Sequence, residues 1–137
     1  MIRKFNHVLV TGGAGFIGSA VVRALVAQNR TNVVTIDNLT YAGNLESLSP
    51  LQGDNRHIFV QGDIGDASLI SELLEKHQPR AVINFAAESH VDRSIHGPEA
   101  FIQTNVVGTF HLLGASRAYW NKLEGNSKQN FRLLHVS

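Results

Sequence analysis

Val8-Leu9-Val10-Thr11-Gly12-Gly13-Ala14-Gly15-Phe16-Ile17-Gly18 is the stretch on which the fold turns. β-Branched and apolar residues run straight into glycines at 12, 15 and 18, and Ile17, Ala20, Val21, Ala24, Leu25 and Gln28 then mark one helical stripe. The pattern predicts a strand over 7–11, a tight turn and a helix over 16–27. Glycine has no Cβ, so Gly12 can take the turn, Gly15 can let backbone N–H groups approach a diphosphate, and Gly18 can pack the helix close to the strand. The helix then aims its positive end at those phosphates.

A second strand over Asn32-Val33-Val34-Thr35-Ile36-Asp37 ends in a carboxylate nineteen residues past Gly18. That is about the spacing at which an acid grips a ribose 2′-hydroxyl, so the pair of segments reads as a dinucleotide site. A nucleoside-triphosphate loop would need Gly-Lys-Ser/Thr, whereas Gly18 is followed by Ser19-Ala20. Asp37 would repel a 2′-phosphate, and no Arg or Lys lies between it and Arg56. NAD is therefore favoured over NADP; the competing account has Asp37 simply ending its strand.

Outward from this core, 38–45 reads as a loop over the adenosine end of the cofactor. His57-Ile58-Phe59-Val60-Gln61 is a third strand, with Gly62-Asp63-Ile64 at its carboxyl end. Asp63 is open to two readings, an adenine partner or a strand-end turn. Asp66 caps a helix bearing Leu69, Ile70, Leu73 and Leu74, which ends before Pro79. The apolar run 81–85 is a fourth strand, covered on both faces. Small residues Ala86 and Ala87 follow it, then Glu88, Ser89 and His90, within reach of a nicotinamide ribose and a substrate. His90 is open between substrate contact and loop packing, while Asp92 and Arg93 read first as a local ion pair.

Pro98 and Glu99 open another helix. Its uncharged stretch 100–116 is shorter than the roughly 20 residues that span a bilayer, so it reads as a helix against the sheet and a partner subunit. The polar run 121–130 reads as a linker, with Trp120 packing the helix end before it. The fifth strand begins at Phe131. Strands alternating with helices predict an α/β, Rossmann-like doubly wound parallel sheet in the order 3-2-1-4-5, one domain over 1–137 that is cut short after its fifth strand.

Composition narrows the partners. Twelve basic residues against eleven acidic ones create no field for nucleic acid or an anionic membrane. At 137 residues the chain can bury roughly two-thirds of its unfolded surface. It has no cysteine, its seven histidines are scattered without a metal-ligand spacing, and no apolar signal core follows Arg3-Lys4. A cytoplasmic address and no metal are expected.

The glycine string, Asp37, Asp63-Ile64 and Phe85-Ala86-Ala87 together resemble the extended short-chain dehydrogenase/reductase family of nucleotide-sugar enzymes. Leu39-Thr40-Tyr41-Ala42-Gly43-Asn44 and Ala86-Ala87-Glu88-Ser89-His90-Val91-Asp92-Arg93-Ser94-Ile95 narrow the resemblance to its dTDP-glucose 4,6-dehydratase branch. That resemblance implies that Phe16, Ile17, Asp37, Asn38, Leu39, Thr40, Asp63, Ile64, Phe85, Ala86, Ala87, Glu88, Ser89 and Thr104 line NAD, with Ser89 and His90 towards the sugar nucleotide. It also implies a homodimer. In this branch hydride leaves sugar C4, water is eliminated across C5 and C6, and the hydride returns to C6, a lyase reaction without net redox change.

The branch's catalytic strings, Thr-Asp-Glu and Tyr-x-x-x-Lys, lie beyond its fifth strand. Tyr41 and Tyr119 have leucine, not lysine, four residues on, and no catalytic residue is assigned among the 137. The expectation is an amino-terminal, NAD-binding part of a dehydratase with no turnover of its own. A catalytically silent binding or assembly module, and an epimerase or decarboxylase of the same fold, are the alternatives, and the codons after Ser137 would separate them.

Overall fold

The computed structural model describes residues 7–39, 44–87 and 98–136. Five parallel strands form one sheet in the order β3-β2-β1-β4-β5, as the alternating pattern predicts. β1 (His7–Thr11), α1 (Phe16–Ala27), β2 (Asn32–Asp37) and β3 (His57–Gln61) take the predicted bounds. Between β2 and β3 a 3-10 helix, Leu45–Leu51, begins at Asn44, whose side chain accepts from the Glu46 N–H at 3.0 Å.

α2 (Ala67–His77) starts at its expected cap, where Asp66 Oδ1 accepts from the Leu69 N–H at 3.1 Å. It ends at Gln78, in the left-handed region with φ 48°. β4 is Pro79–Asn84, two residues earlier than the apolar run suggests. Proline is tolerated at the first position of a strand, where no ladder donor is required.

α3 (Pro98–Ile102), a π-helical segment (Gln103–Gly108) and α4 (Thr109–Lys122) continue one another, because the junction residues Ile102, Gly108 and Thr109 all hold right-handed helical angles. The expected linker over 121–130 is not observed: α4 runs on to Lys122, and α5 (Gly125–Asn130) fills most of the rest before β5 (Arg132–His135). Trp120 does pack the helix end as expected. Its Nε1–H donates to the Lys128 carbonyl at 3.0 Å, and the Lys128 ammonium lies 4.6 Å from the ring centroid.

Both faces of the sheet are covered. On one side Leu9, Val34, Ile36 and Val82 pack with Ile70 and Leu74 of α2 and Leu112, Ala115 and Tyr119 of α4. On the other, Val8, Val10 and Val33 meet Val22 and Val26 of α1 and Leu48 and Leu51 of the 3-10 helix. The buried Tyr119 hydroxyl donates to the Pro79 carbonyl at 2.7 Å, tying α4 to the start of β4, and burial raises its pKa. The helix over 100–116 turns Leu112 and Ala115 into the sheet and leaves Ile102, Val106, Phe110 and Leu113 exposed. No helix among the described residues is long and apolar enough to cross a membrane.

Candidate functional site

The site grows from the turn after β1. Gly12 has φ 69°, a conformation other residues adopt at a cost, and a Cβ there would lie 2.6 Å from the Ala86 nitrogen. The glycine loop thus rests directly on the peptide by which the chain leaves β4. At Gly18 a Cβ would come within 2.2 Å of the Gly12 carbonyl, so α1 approaches the turn as closely as the missing side chain permits. Gly15 occupies the N-cap of α1 and supplies no side-chain acceptor, and the first turn holds no acid. The first amides of a helix have no partner within it, so those of Phe16 and Ile17 lie at the positive end of α1. Both side chains stand exposed, Phe16 at 92% and Ile17 at 60%.

Asp37 closes the loop from the other side. Its Oδ2 accepts from the Ala14 N–H at 2.9 Å and its Oδ1 from the Leu39 N–H at 2.8 Å. The Asn44 N–H reaches the Ala14 carbonyl at 3.0 Å, so Asn44 is fastened directly to the glycine turn. Leu39 itself adopts φ 54°. A carboxylate has about four lone-pair positions, and two amides leave acceptor capacity on each oxygen for a hydroxyl.

Asp63 and Ile64 follow the carboxyl end of β3, and residues 85–87 that of β4. Asp63 Oδ1 accepts from the Gly65 N–H at 2.8 Å, so the turn reading of this residue is what the described contacts display. Ile64 is 4% exposed and packs where a Cβ on Gly108 would come within 2.9 Å of it. Phe85 and Ala86 are half-buried and Ala87 is exposed, while Thr104 sits half-buried in the π-helical segment. Thr40, Glu88, Ser89 and His90 lie outside the described residues.

Sequence reasoning missed a polar row beneath this edge. Strand register sets Thr11 beside Asn84 and Asn84 beside His135. The Thr11 hydroxyl donates to Asn84 Oδ1, and the Asn84 amide reaches His135 Nδ1 at 3.0 Å. An asparagine inside the apolar run 81–85 was the available signal. Among the described residues no cluster of three potential ligands for a metal occurs. A 410 Å³ hollow between the 3-10 helix and β3 is lined by Leu45, Leu48, Leu51 and Phe59 and shares no residue with the glycine loop.

The family model for GDP-mannose 4,6 dehydratase matches residues 9–137. The chain is 61% identical over 129 residues to dTDP-glucose 4,6-dehydratase of Xanthomonas campestris pv. campestris strain B100, covering 94% of this chain and 36% of that protein. Among solved structures it resembles dTDP-glucose 4,6-dehydratase from Bacillus anthracis str. Ames in complex with NAD, with TM-score 0.79 and 33% identity over 96% of this chain and 37% of the other. UDP-glucose 4-epimerase from Brucella ovis in complex with NAD follows at TM-score 0.76 and 36% identity, with coverages of 96% and 35%. The chain therefore spans about 36% of the length of the curated relatives it matches.

Proposed function

Because the chain belongs to the GDP-mannose 4,6 dehydratase family, we propose that it is the cofactor-holding part of an NAD-dependent dTDP-glucose 4,6-dehydratase, which converts dTDP-glucose to dTDP-4-keto-6-deoxyglucose. The observation that carries the reading is the glycine turn. Gly12, in the left-handed region and packed on the Ala86 peptide, leaves an uncapped helix end facing the carboxylate that holds Ala14 and Leu39. That cradle suits a diphosphate flanked by a ribose.

Within it the amides of Phe16 and Ile17, with Gly15 and Gly18 giving room, hold the diphosphate. Asp37 takes the ribose hydroxyls with the acceptor capacity its two amides leave, and its charge disfavours a 2′-phosphate. Asn38, Leu39 and Thr40 cover the adenosine, Asp63 and Ile64 border the adenine, and Phe85, Ala86, Ala87, Glu88, Ser89 and Thr104 flank the nicotinamide end. Ser89 and His90 extend to the sugar nucleotide. Bound there, NAD supplies a reversible hydride acceptor, which is what a dehydration activated by a transient ketone needs. The acid, base and tyrosine for that chemistry belong to the Thr-Asp-Glu and Tyr-x-x-x-Lys strings that by resemblance lie beyond the fifth strand.

Sequence identity favours the dehydratase reading over the epimerase one: the curated dehydratase is 61% identical and a solved dehydratase from Streptomyces venezuelae 47%, against 36% for the Brucella ovis epimerase, although the fold is shared at nearly equal TM-scores. A cytoplasmic enzyme fits a chain without cysteine. A homodimer fits the row Ile102, Val106, Phe110 and Leu113, spaced by helical turns and 47–71% exposed.

The test is calorimetric titration of the 137-residue chain with NAD and NADP, alongside a dehydratase assay. NAD binding tighter than NADP, with no turnover by this chain and activity in the longer protein that contains it, is the expected outcome. Absence of NAD binding, or preference for NADP, overturns the cofactor reading; keto-sugar formation by these residues alone overturns the division of labour.

A further inference from the structure

The row Thr11–Asn84–His135 determines more than packing. Asn84 is 1% exposed and Thr11 0%, so every polar atom there must find a partner inside the protein. The Ala86 N–H lies 3.1 Å from Asn84 Oδ1. A backbone N–H only donates, so that atom is the amide oxygen, and the orientation of the amide follows from a donor that cannot change. The Thr11 hydroxyl meets the same oxygen and must donate as well. With its oxygen occupied by two donors, the amide turns its nitrogen to His135 Nδ1 at 3.0 Å. Because an amide NH₂ cannot accept, Nδ1 has to carry a lone pair.

We propose that Asn84 is a positioning residue that holds His135 as the Nε2–H tautomer and couples that ring to the Ala86 peptide where the chain leaves β4. The exposed His135 ring then offers one defined donor, Nε2–H, at the carboxyl edge beside β4. Three backbone bonds fix the frame on which this rests. The Phe85 N–H donates to the Thr11 carbonyl at 2.9 Å, the Val136 N–H to the Asn84 carbonyl at 3.1 Å, and the Gly12 N–H to the Ile36 carbonyl at 2.8 Å. Neither the threonine, the asparagine nor the imidazole can rotate alone without leaving a buried polar atom unpaired, a loss of the kind that makes such networks act as a unit. The step from this lock to the cofactor rests on the reading above, in which Ala86 borders the nicotinamide end.

Nitrogen-15 NMR of the imidazoles in the 137-residue chain tests the lock at about pH 8, where the two ring nitrogens report the tautomer. His135 is expected to show an unprotonated Nδ1 and a protonated Nε2 without tautomeric averaging. In Asn84→Asp the carboxylate can only accept, and the His135 proton is expected to move to Nδ1. Thr11→Val, which removes one donor but leaves the Ala86 N–H in place, should keep the wild-type tautomer and serves if the aspartate variant does not fold. An averaged His135 signal or a protonated Nδ1 in the wild type, or an unchanged tautomer in folded Asn84→Asp, overturns the proposal. NAD titration of the same sample keeps the two claims apart, since a chain that binds no NAD and yet shows the locked tautomer refutes only the cofactor reading.

Discussion

Single glycines differ here in what their missing side chain does, and the difference is measurable. Gly12 and Gly53 both have positive φ, 69° and 82°, but a Cβ on Gly53 would meet nothing within 4 Å, whereas one on Gly12 would strike the Phe85–Ala86 peptide. Gly53→Ala should therefore cost only the backbone strain of a left-handed residue, about 1–2 kcal/mol. Gly12→Ala should exceed it in urea unfolding, because the obstacle is backbone and cannot turn aside as a side chain would, and should also weaken NAD capture. Equal losses at the two positions would show that the close approach of the glycine loop to β4 is not needed. Asp37 carries a comparable double duty, since the carboxylate offered to ribose also holds the Ala14 and Leu39 amides.

At the scale of elements, the helix from Pro98 to Lys122 has two apolar faces. Leu112, Ala115 and Tyr119 look into the sheet, and Ile102, Val106, Phe110 and Leu113 look out. Because the outer row makes no core contact, Phe110→Glu should leave thermal stability within about 0.5 kcal/mol. It should nonetheless abolish concentration-dependent dimers seen by sedimentation equilibrium, if that row joins two copies. A dimer that survives the substitution would place the contact elsewhere.

Which elements could be read beforehand follows from the same physics. β1, α1, β2 and β3 are bounded by glycines, polar caps and clean changes of period, and their limits were legible. Pro79 looked like a breaker because its tolerance at a strand start depends on where the neighbouring ladder begins. α5 escaped because it has no apolar face to give a period. Its anchors are the Trp120 indole on Lys128 and the Arg132 guanidinium, which donates to the Gln129 carbonyl at 2.7 Å. The glycine cradle and Asp37 were visible in spacing, whereas the Thr11–Asn84–His135 row is a product of strand register across residues more than fifty apart: the asparagine in an apolar run marks one member, and only the register supplies its partners.

For the molecule as a whole, half-buried imidazoles make stability depend on pH. Burial lowers the pKa of His7, His57 and His77 from the ordinary 6.5, and nearby His7 and Lys76 push His77 further down. The His7 and His77 rings lie 5.6 Å apart, and His7 Nδ1 is buried without a partner among the described residues. The folded state thus binds fewer protons than the unfolded chain just below pH 6.5, so stability is full above that value and declines as pH falls through the lowered folded pKa values. Asp54 adds a second step. The Arg56 side chain and backbone N–H hold its carboxyl at about 2 against an ordinary 3.8, and that contribution is present above 3.8 and lost as pH falls towards 2. Urea midpoints measured across this range should therefore drop in two stages. His77→Gln should flatten the upper stage by removing one titrating ring, while Asp54→Asn should remove only the lower. A midpoint that stays level from neutral pH to about 5, below the ordinary histidine pKa, would mean that the histidines titrate alike in the folded and unfolded chain.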